Sequence, residues 1–308
     1  MHEPHLIYET VHGSRAYGLA RAGSDTDHKG VIVGPARWYH GFIGGPEQVE
    51  LGADHVRFEL RKFMRLAAAA NPTLLETLYT HDDDHRTVTR AGRRLLDARD
   101  RFLSRKVEQS FGGYAASQLK RIRTHRRWLL EPPKAPPSRA AYGLPERALV
   151  PRDQMGAAEA MREQGRLAEL DLSPNFLDML DRERRYKQAR THWSQYQTWL
   201  RGRNPARAAL EAAHGYDTKH AMHLVRLLRM GGEILRGEGL IVRRPDRDSL
   251  LAIRDGALDY DALATEADAL TAAIEAASAT TTLPDAPDEA ALDALCAEIV
   301  HDVLRGDD

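Results

Sequence analysis

Cysteine is almost absent: Cys296 is the single thiol in 308 residues. One thiol excludes an internal disulfide framework and fits a reducing compartment. It sits in an Ala- and Leu-rich helical pattern, which reads as a small core residue rather than a nucleophile. Long apolar runs are missing too, and none approaches the roughly eighteen residues a bilayer span needs. The start, Met1-His2-Glu3-Pro4-His5, lacks the basic and apolar regions of a signal peptide. The expectation is a soluble, cytoplasmic protein with no membrane partner. Neither sign of charge dominates, since 44 Lys and Arg against 45 Asp and Glu leave a net charge of -1. Average charge therefore carries no argument for nucleic acid, and only local clusters can. There is no internal repeat and no G-x-x-x-x-G-K-S/T phosphate loop. The length suggests about two domains and allows a sizeable core.

What is present is concentrated near the N-terminus. Leu6, Ile7, Tyr8 and Val11 form a strand-like run that stops at Gly13-Ser14. A short helical turn can follow before the chain re-enters a strand with Asp25 and Asp27. Glycine at such a junction lets backbone N–H groups approach a ligand, and Ser14 is a suitable N-cap. The start of the helix behind it is a natural phosphate cradle. Strand residues two apart share a face, so Asp25 and Asp27 are expected side by side, roughly 6–7 Å apart at Cα. Carboxylates so placed can grip Mg2+, which bridges them to substrate phosphates. Singly, each piece has a bland alternative, a Gly-Ser loop or a solvated Ser-Asp-x-Asp turn. Jointly they read as phosphoryl or nucleotidyl transfer.

The combination of Gly13-Ser14 with Ser24-Asp25-Thr26-Asp27 resembles the signature of the DNA polymerase β nucleotidyltransferase superfamily. With Tyr17-Gly18-Leu19 between the halves and Gly30-Val31 after them, it resembles one branch. That branch is the predicted nucleotidyltransferases associated with RNA-ligase repair operons. The resemblance implies an α+β fold, with a small mixed sheet and helices over 1–130 and a mostly α-helical domain over 131–308. It implies an NTP such as ATP as substrate, two Mg2+ ions, and a third acid on a later strand. Glu47–Leu51 and Asp54–Phe58 read as a hairpin around Gly52. Asp54 is the choice for that acid and Glu59 its rival, so the expected catalytic and metal-binding set is Asp25, Asp27 and Asp54. Gly13, Ser14, Arg15 and Ser24 would contact nucleotide. RNA is the implied acceptor, most simply a tRNA-like 3′ hydroxyl, and an RNA ligase or another repair enzyme is the implied partner. Nucleotidylation of a protein or small molecule, or a non-catalytic nucleotide- or RNA-binding module, are the alternatives.

Further along, Leu60, Phe63, Met64 and Ala67 fall at helical spacing, and Asn71-Pro72-Thr73 breaks that helix and caps the next. Asn71-Pro72 with Leu75-Glu76 also resembles the branch, although a plain helix corner explains it. His81-Asp82-Asp83-Asp84-His85 reads as a solvated cap rather than a metal site. Lys120, Arg121, Arg123, Arg126 and Arg127 crowd one helical stretch, which suits RNA phosphates or, equally, a solvated helix surface. Pro132–Ser138 reads as a stiff linker. Trp193, Tyr196 and Trp199 read as helix packing. Asp217 or Thr218 can cap a helix in which Lys219, His223 and Arg226 share one stripe, a basic clamp for nucleotide phosphate. Gly215-Tyr216-Asp217-Thr218-Lys219-His220 resembles the same branch. Gly237–Val242 suggests a turn into a short strand, and 261–279 and 288–304 are Ala-rich helices.

Overall fold

A computed structural model describes residues 3–148, 151–166, 173–203 and 205–308. The chain opens with β1 (His5–His12), whose last six residues are buried. Gly13 adopts φ +67°, a left-handed conformation that costs glycine little, and α1 (Gly13–Ala16) makes a single turn. β2 (Asp27–Val33) returns antiparallel to β1, with Asp27 opposite His12. After α2 (Arg37–His40), β3 (Gln48–Gly52) and β4 (His55–Glu59) form the expected hairpin. β4 runs parallel to β2, with His28 opposite His55. Then come α3 (Leu60–Ala68), α4 (Pro72–Leu78) and β5 (His85–Val88), which pairs antiparallel with β1. The mixed sheet has the order β3-β4-β2-β1-β5.

Helices follow: α5 (Arg90–Asp97), α6 (Lys106–Leu130), α7 (Arg152–Glu163), α8 (Pro174–Arg201) and α9 (Pro205–His214). The last four are α10 (Thr218–Leu235), α11 (Arg247–Arg254), α12 (Tyr260–Thr280) and α13 (Glu289–Arg305). The architecture is α+β, a small mixed sheet with helices followed by a mostly helical region. No helix among the described residues is long and apolar enough to cross a membrane.

Local chemistry accounts for the elements that position the site. Glu59 caps α3 by accepting from the Arg61 and Lys62 amides, and Leu60, Phe63, Met64 and Ala67 are buried at the predicted spacing. Asn71 caps α4 through the Leu74 amide, and Pro72 occupies the first turn, where its missing N–H is not needed. Asp217 caps α10 through the His220 amide. His81 caps the 3-10 turn at Asp82–Asp84, and Arg243 pairs with Asp83 and Asp84.

One strand was not read from the sequence, and one expected strand is absent. β5 was hidden in a charged, four-residue stretch too short for a period-2 signal. The strand expected after Gly239 does not form: Leu240 and Val242 are buried, but the Arg244 amide donates to the Tyr17 carbonyl, outside any ladder.

The chain divides into two compact units, Met1–Arg123 with Tyr216–Asp308, and Thr124–Gly215. In the first, one apolar cluster runs from Ile7 and Tyr8 through Phe63, Leu75 and Phe111 to Val225, Leu228 and Ile299. Arg94 ties α5 to α13 through Glu298 and Asp302, at 2.6 Å each. In the second, Trp128 and Tyr196 are buried among Trp193, Trp199 and His192, and Arg139 pairs with Glu183. Residues 132–138 are irregular, as their prolines require.

Because residues 216–308 fill the core of the first unit, residues 1–131 alone would leave that apolar surface open to water. Such a fragment is expected to show no cooperative thermal transition and to bind a hydrophobic dye. The intact chain should melt cooperatively, and calorimetry of both proteins checks the contrast.

Candidate active site

The β1–β2 hairpin builds the site. Asp27 is the first residue of β2 and pairs with His12, the last of β1, so the turn beginning at Gly13 lies beside Asp27. A Cβ added at Gly13 would meet the Asp27 carboxylate oxygen at 2.0 Å. Backbone and carboxylate are therefore in direct contact, and position 13 tolerates no side chain.

Asp25 is not on the strand. Gly23 has φ +78°, the Ser24 amide donates to the Arg21 carbonyl, and the Arg21 amide donates to Ser24 Oγ. This tight turn holds Ser24 and Asp25 in a loop, and the ladder starts two residues later. Asp25 is exposed, while Asp27 is half-buried. Asp54 occupies the β3–β4 turn and is exposed, and its carbonyl accepts from the His28 amide at 2.7 Å, docking that turn against the start of β2. The Asp27 carboxyl is pushed above the ordinary range by burial first, then by the charges of Asp54 and Asp25. Lys29 and Lys219 pull it the other way. Three acids and two lysines thus share one field.

Glu59 lies at the far end of β4 from Asp54 and is buried. Besides capping α3, it accepts from the Tyr39 hydroxyl at 3.0 Å and pairs with Arg61 at 3.2 Å. The geometry brings Asp54, and not Glu59, to Asp27.

The nucleotide-contact candidates separate into groups. Ser14 lies within α1 rather than capping it. The N-cap is His12, and the Ser14 carbonyl accepts from the Leu19 amide at 2.8 Å. Arg15 is exposed and donates to the Ser24 carbonyl at 2.8 Å, tying the turn to the Asp25 loop. Lys219 is exposed on the first turn of α10 and its charge reaches Asp27, and His223 is half-buried one turn later. Arg226 departs from the expected basic stripe. Most of α10 is buried, so two turns beyond Lys219 the stripe has rotated into the core. There the Arg226 guanidinium sits 2.5 Å from Glu76 Oε1 and 3.8 Å over the Tyr17 ring. It presents no charge to a solvent-side phosphate. Of the basic α6 residues, Lys120, Arg121 and Arg123 are exposed in the first unit. Arg127 is exposed and Arg126 half-buried in the second.

Three residues outside the expected site set line this turn from inside, His12, Tyr17 and Glu76, while Lys29 acts on Asp27 through its charge. The Tyr17 hydroxyl donates to Glu76 Oε2 at 2.5 Å, and His12 Nε2 lies 3.8 Å from the same oxygen. Burial drives the His12 imidazole down to about 4, so it is neutral at physiological pH. The available signal was a carboxylate among Leu74, Leu75 and Leu78, and an arginine between Val225 and Leu227. The C-terminal segment also clasps the chain between turn and loop. Arg247 donates to the Gly18 carbonyl at 2.7 Å, Arg254 to that of Leu19 at 3.4 Å, and Arg21 pairs with Asp255 at 2.5 Å.

The raised Asp27 carboxyl means that its charged form is disfavoured in the folded protein. That cost is present at neutral pH and disappears once the pH is low enough to protonate the group in both states. Asp27→Asn is therefore expected to raise the melting temperature of the metal-free protein at pH 7, on the order of a degree or two. The gain should shrink towards pH 3, and thermal scans across that range check the sign.

Residues 1–131 match RlaP, the RNA repair pathway DNA polymerase beta family. No curated protein and no solved structure matches the chain. The matched span holds Gly13, Ser14, Asp25, Asp27, Asp54 and Glu76, whereas Lys219 and Arg226 fall after it. A polymerase-beta-like family supports a nucleotidyltransferase role in general terms. With the glycine turn and its three acids inside that span, residues 1–131 of this chain are similar to the RNA repair pathway DNA polymerase beta family.

Proposed function

We propose that the protein transfers a nucleotidyl group from an NTP to an acceptor hydroxyl, and that the acceptor is a tRNA-like RNA 3′ end. In this reaction the acceptor oxygen bonds to the α-phosphorus, the α–β bridging bond breaks, and pyrophosphate leaves. The observation that carries the reading is the contact of Gly13 with Asp27, in a field where Asp25 and Asp54 repel the Asp27 charge. A glycine backbone suited to phosphate and a group of carboxylates that outnumber the lysines acting on them meet at one place.

The chemistry of the donor set suits a hard divalent cation. All three groups are carboxylates, and a cation would relieve the repulsion that now raises Asp27. Asp25, Asp27 and Asp54 would hold Mg2+, two ions in this reading. When bound, such ions lower the pKa of the attacking hydroxyl and offset charge on the leaving oxygens. The protein's own groups supply positioning. Gly13 and Ser14 offer backbone and hydroxyl to the β- and γ-phosphates, while Arg15 and Lys219 offset charge as pyrophosphate departs. Exposed Lys120, Arg121, Arg123 and Arg127 supply sequence-independent contacts to RNA phosphates, and a repair enzyme such as an RNA ligase would act on the product.

Incubation of the full-length protein with each labelled NTP, Mg2+ and total RNA tests this directly. Label is expected in RNA, sensitive to ribonuclease and to chelation. Label in protein or in a small molecule instead would overturn the choice of acceptor. Asp25→Asn should reduce transfer by at least about a hundredfold while leaving NTP binding nearly intact. RNA binding should weaken steeply with salt, and less steeply once Arg121 and Arg123 are replaced by Gln.

A further inference from the structure

The turn that approaches Asp27 is only four residues long, and both of its flanks reach inward to one carboxylate. His12 precedes the turn and Tyr17 follows it, each about 95 % buried. The Tyr17 hydroxyl bonds Glu76 Oε2 at 2.5 Å, and His12 Nε2 faces the same atom at 3.8 Å. Glu76 itself is 2 % exposed, on a helix fixed by the Asn71 cap. Its other oxygen meets Arg226 at 2.5 Å, and the guanidinium plane lies against Tyr17. α10, the helix of Arg226, also carries Lys219 two turns earlier, and the charge of Lys219 acts on Asp27. One helix therefore carries a charge that acts on Asp27 near its start and, two turns on, the arginine that meets Glu76 and the Tyr17 ring.

Stability alone is a poor reason for this arrangement. Replacing a buried ion pair by apolar residues of similar volume is often neutral or stabilising, because the desolvation cost vanishes with the charges. What an apolar filling cannot do is fix direction. A tyrosine hydroxyl and an arginine aimed at opposite oxygens of one carboxylate hold it in one orientation, and through it the exit of the turn.

Resting on the nucleotidyl-transfer reading, we propose that Glu76, oriented by Arg226, is the positioning residue of the triphosphate cradle. It acts through the Tyr17 hydroxyl to hold the Gly13–Ala16 backbone where the β- and γ-phosphates bind. Glu76 touches no substrate atom. Its effect is on how tightly NTP is held, and not on the acceptor.

The test uses the full-length protein, α,β-methylene analogues of the four NTPs for binding, and steady-state transfer for KM and kcat. Tyr17→Phe keeps the ring and removes only the hydroxyl. It should weaken analogue binding and raise the KM for NTP on the order of tenfold, the size typical of outer-shell partners, with kcat and the KM for acceptor little changed. Glu76→Gln combined with Arg226→Met removes both charges together, so no buried ion is left unpaired. It should show the same NTP-specific defect, and adding Tyr17→Phe to it should cost little more. A Tyr17→Phe protein that melts earlier but binds NTP like wild type would assign the network to folding alone and overturn the proposal. If the double variant does not fold, Tyr17→Phe still decides the matter. Failure of the wild-type protein to bind any of the four analogues is a different result: it would remove the nucleotide site, and this proposal with it.

Discussion

A carboxylate oxygen of Asp27 occupies the space where a side chain at position 13 would begin. Everything else at this site is a consequence of keeping those two groups in contact. Position 13 must be glycine both for that space and for its φ of +67°, which costs other residues roughly 1–2 kcal/mol. β1 must end at His12 so that the turn begins opposite Asp27, and the register of the β1–β2 pair sets that end. β4 must lie parallel to β2 so that the hairpin turn brings Asp54 alongside. A one-residue slip in the β1–β2 pairing would put Asp27 on the other face of the sheet from its place beside the turn.

Holding that contact also explains why the chain returns to its beginning. The first compact unit joins residues 1–123 to residues 216–308, although the family match stops at 131. The returning segment does more than cover apolar surface. It donates from the Arg244 amide to the Tyr17 carbonyl and from the Arg247 and Arg254 side chains to Gly18 and Leu19. Those three consecutive residues connect the turn to the Asp25 loop. The loop is thus pinned at its root, while Asp25 at its tip stays exposed.

Much of this was legible in the residues, and the failures have physical causes. Caps at Asn71 and Asp217 and the buried face of α3 follow from local rules, and they formed where the pattern placed them. The fold class followed from the same rules together with the family resemblance. The period-2 argument for Asp25 and Asp27 failed because it assumed that the strand was already running, whereas the turn at Gly23-Ser24 delays it. The stripe of Lys219, His223 and Arg226 was correct as helical geometry, yet spacing does not report how deeply a helix is sunk. Arg226 lies 150 positions from Glu76, and no local pattern announces a pairing at that separation. Charged residues inside otherwise apolar helices were the only trace that it left.

The two groups of charges beside the turn differ in a way that separates their roles. Inside, Glu76 is matched by Arg226, and His12 and Tyr17 are held neutral by burial, so no net charge remains to be answered. A buried site in any other state would be costly. Outside, Asp25, Asp27 and Asp54 carry three negative charges against Lys29 and Lys219, and the half-buried member is already resisting ionisation. Exposure lets water tolerate that imbalance, which is why it survives in the folded protein. A balanced interior can hold geometry but has no electrostatic call for a ligand. The unbalanced exterior is where positive charge gains most by arriving, and the turn it surrounds is where the negative charge of a triphosphate would follow.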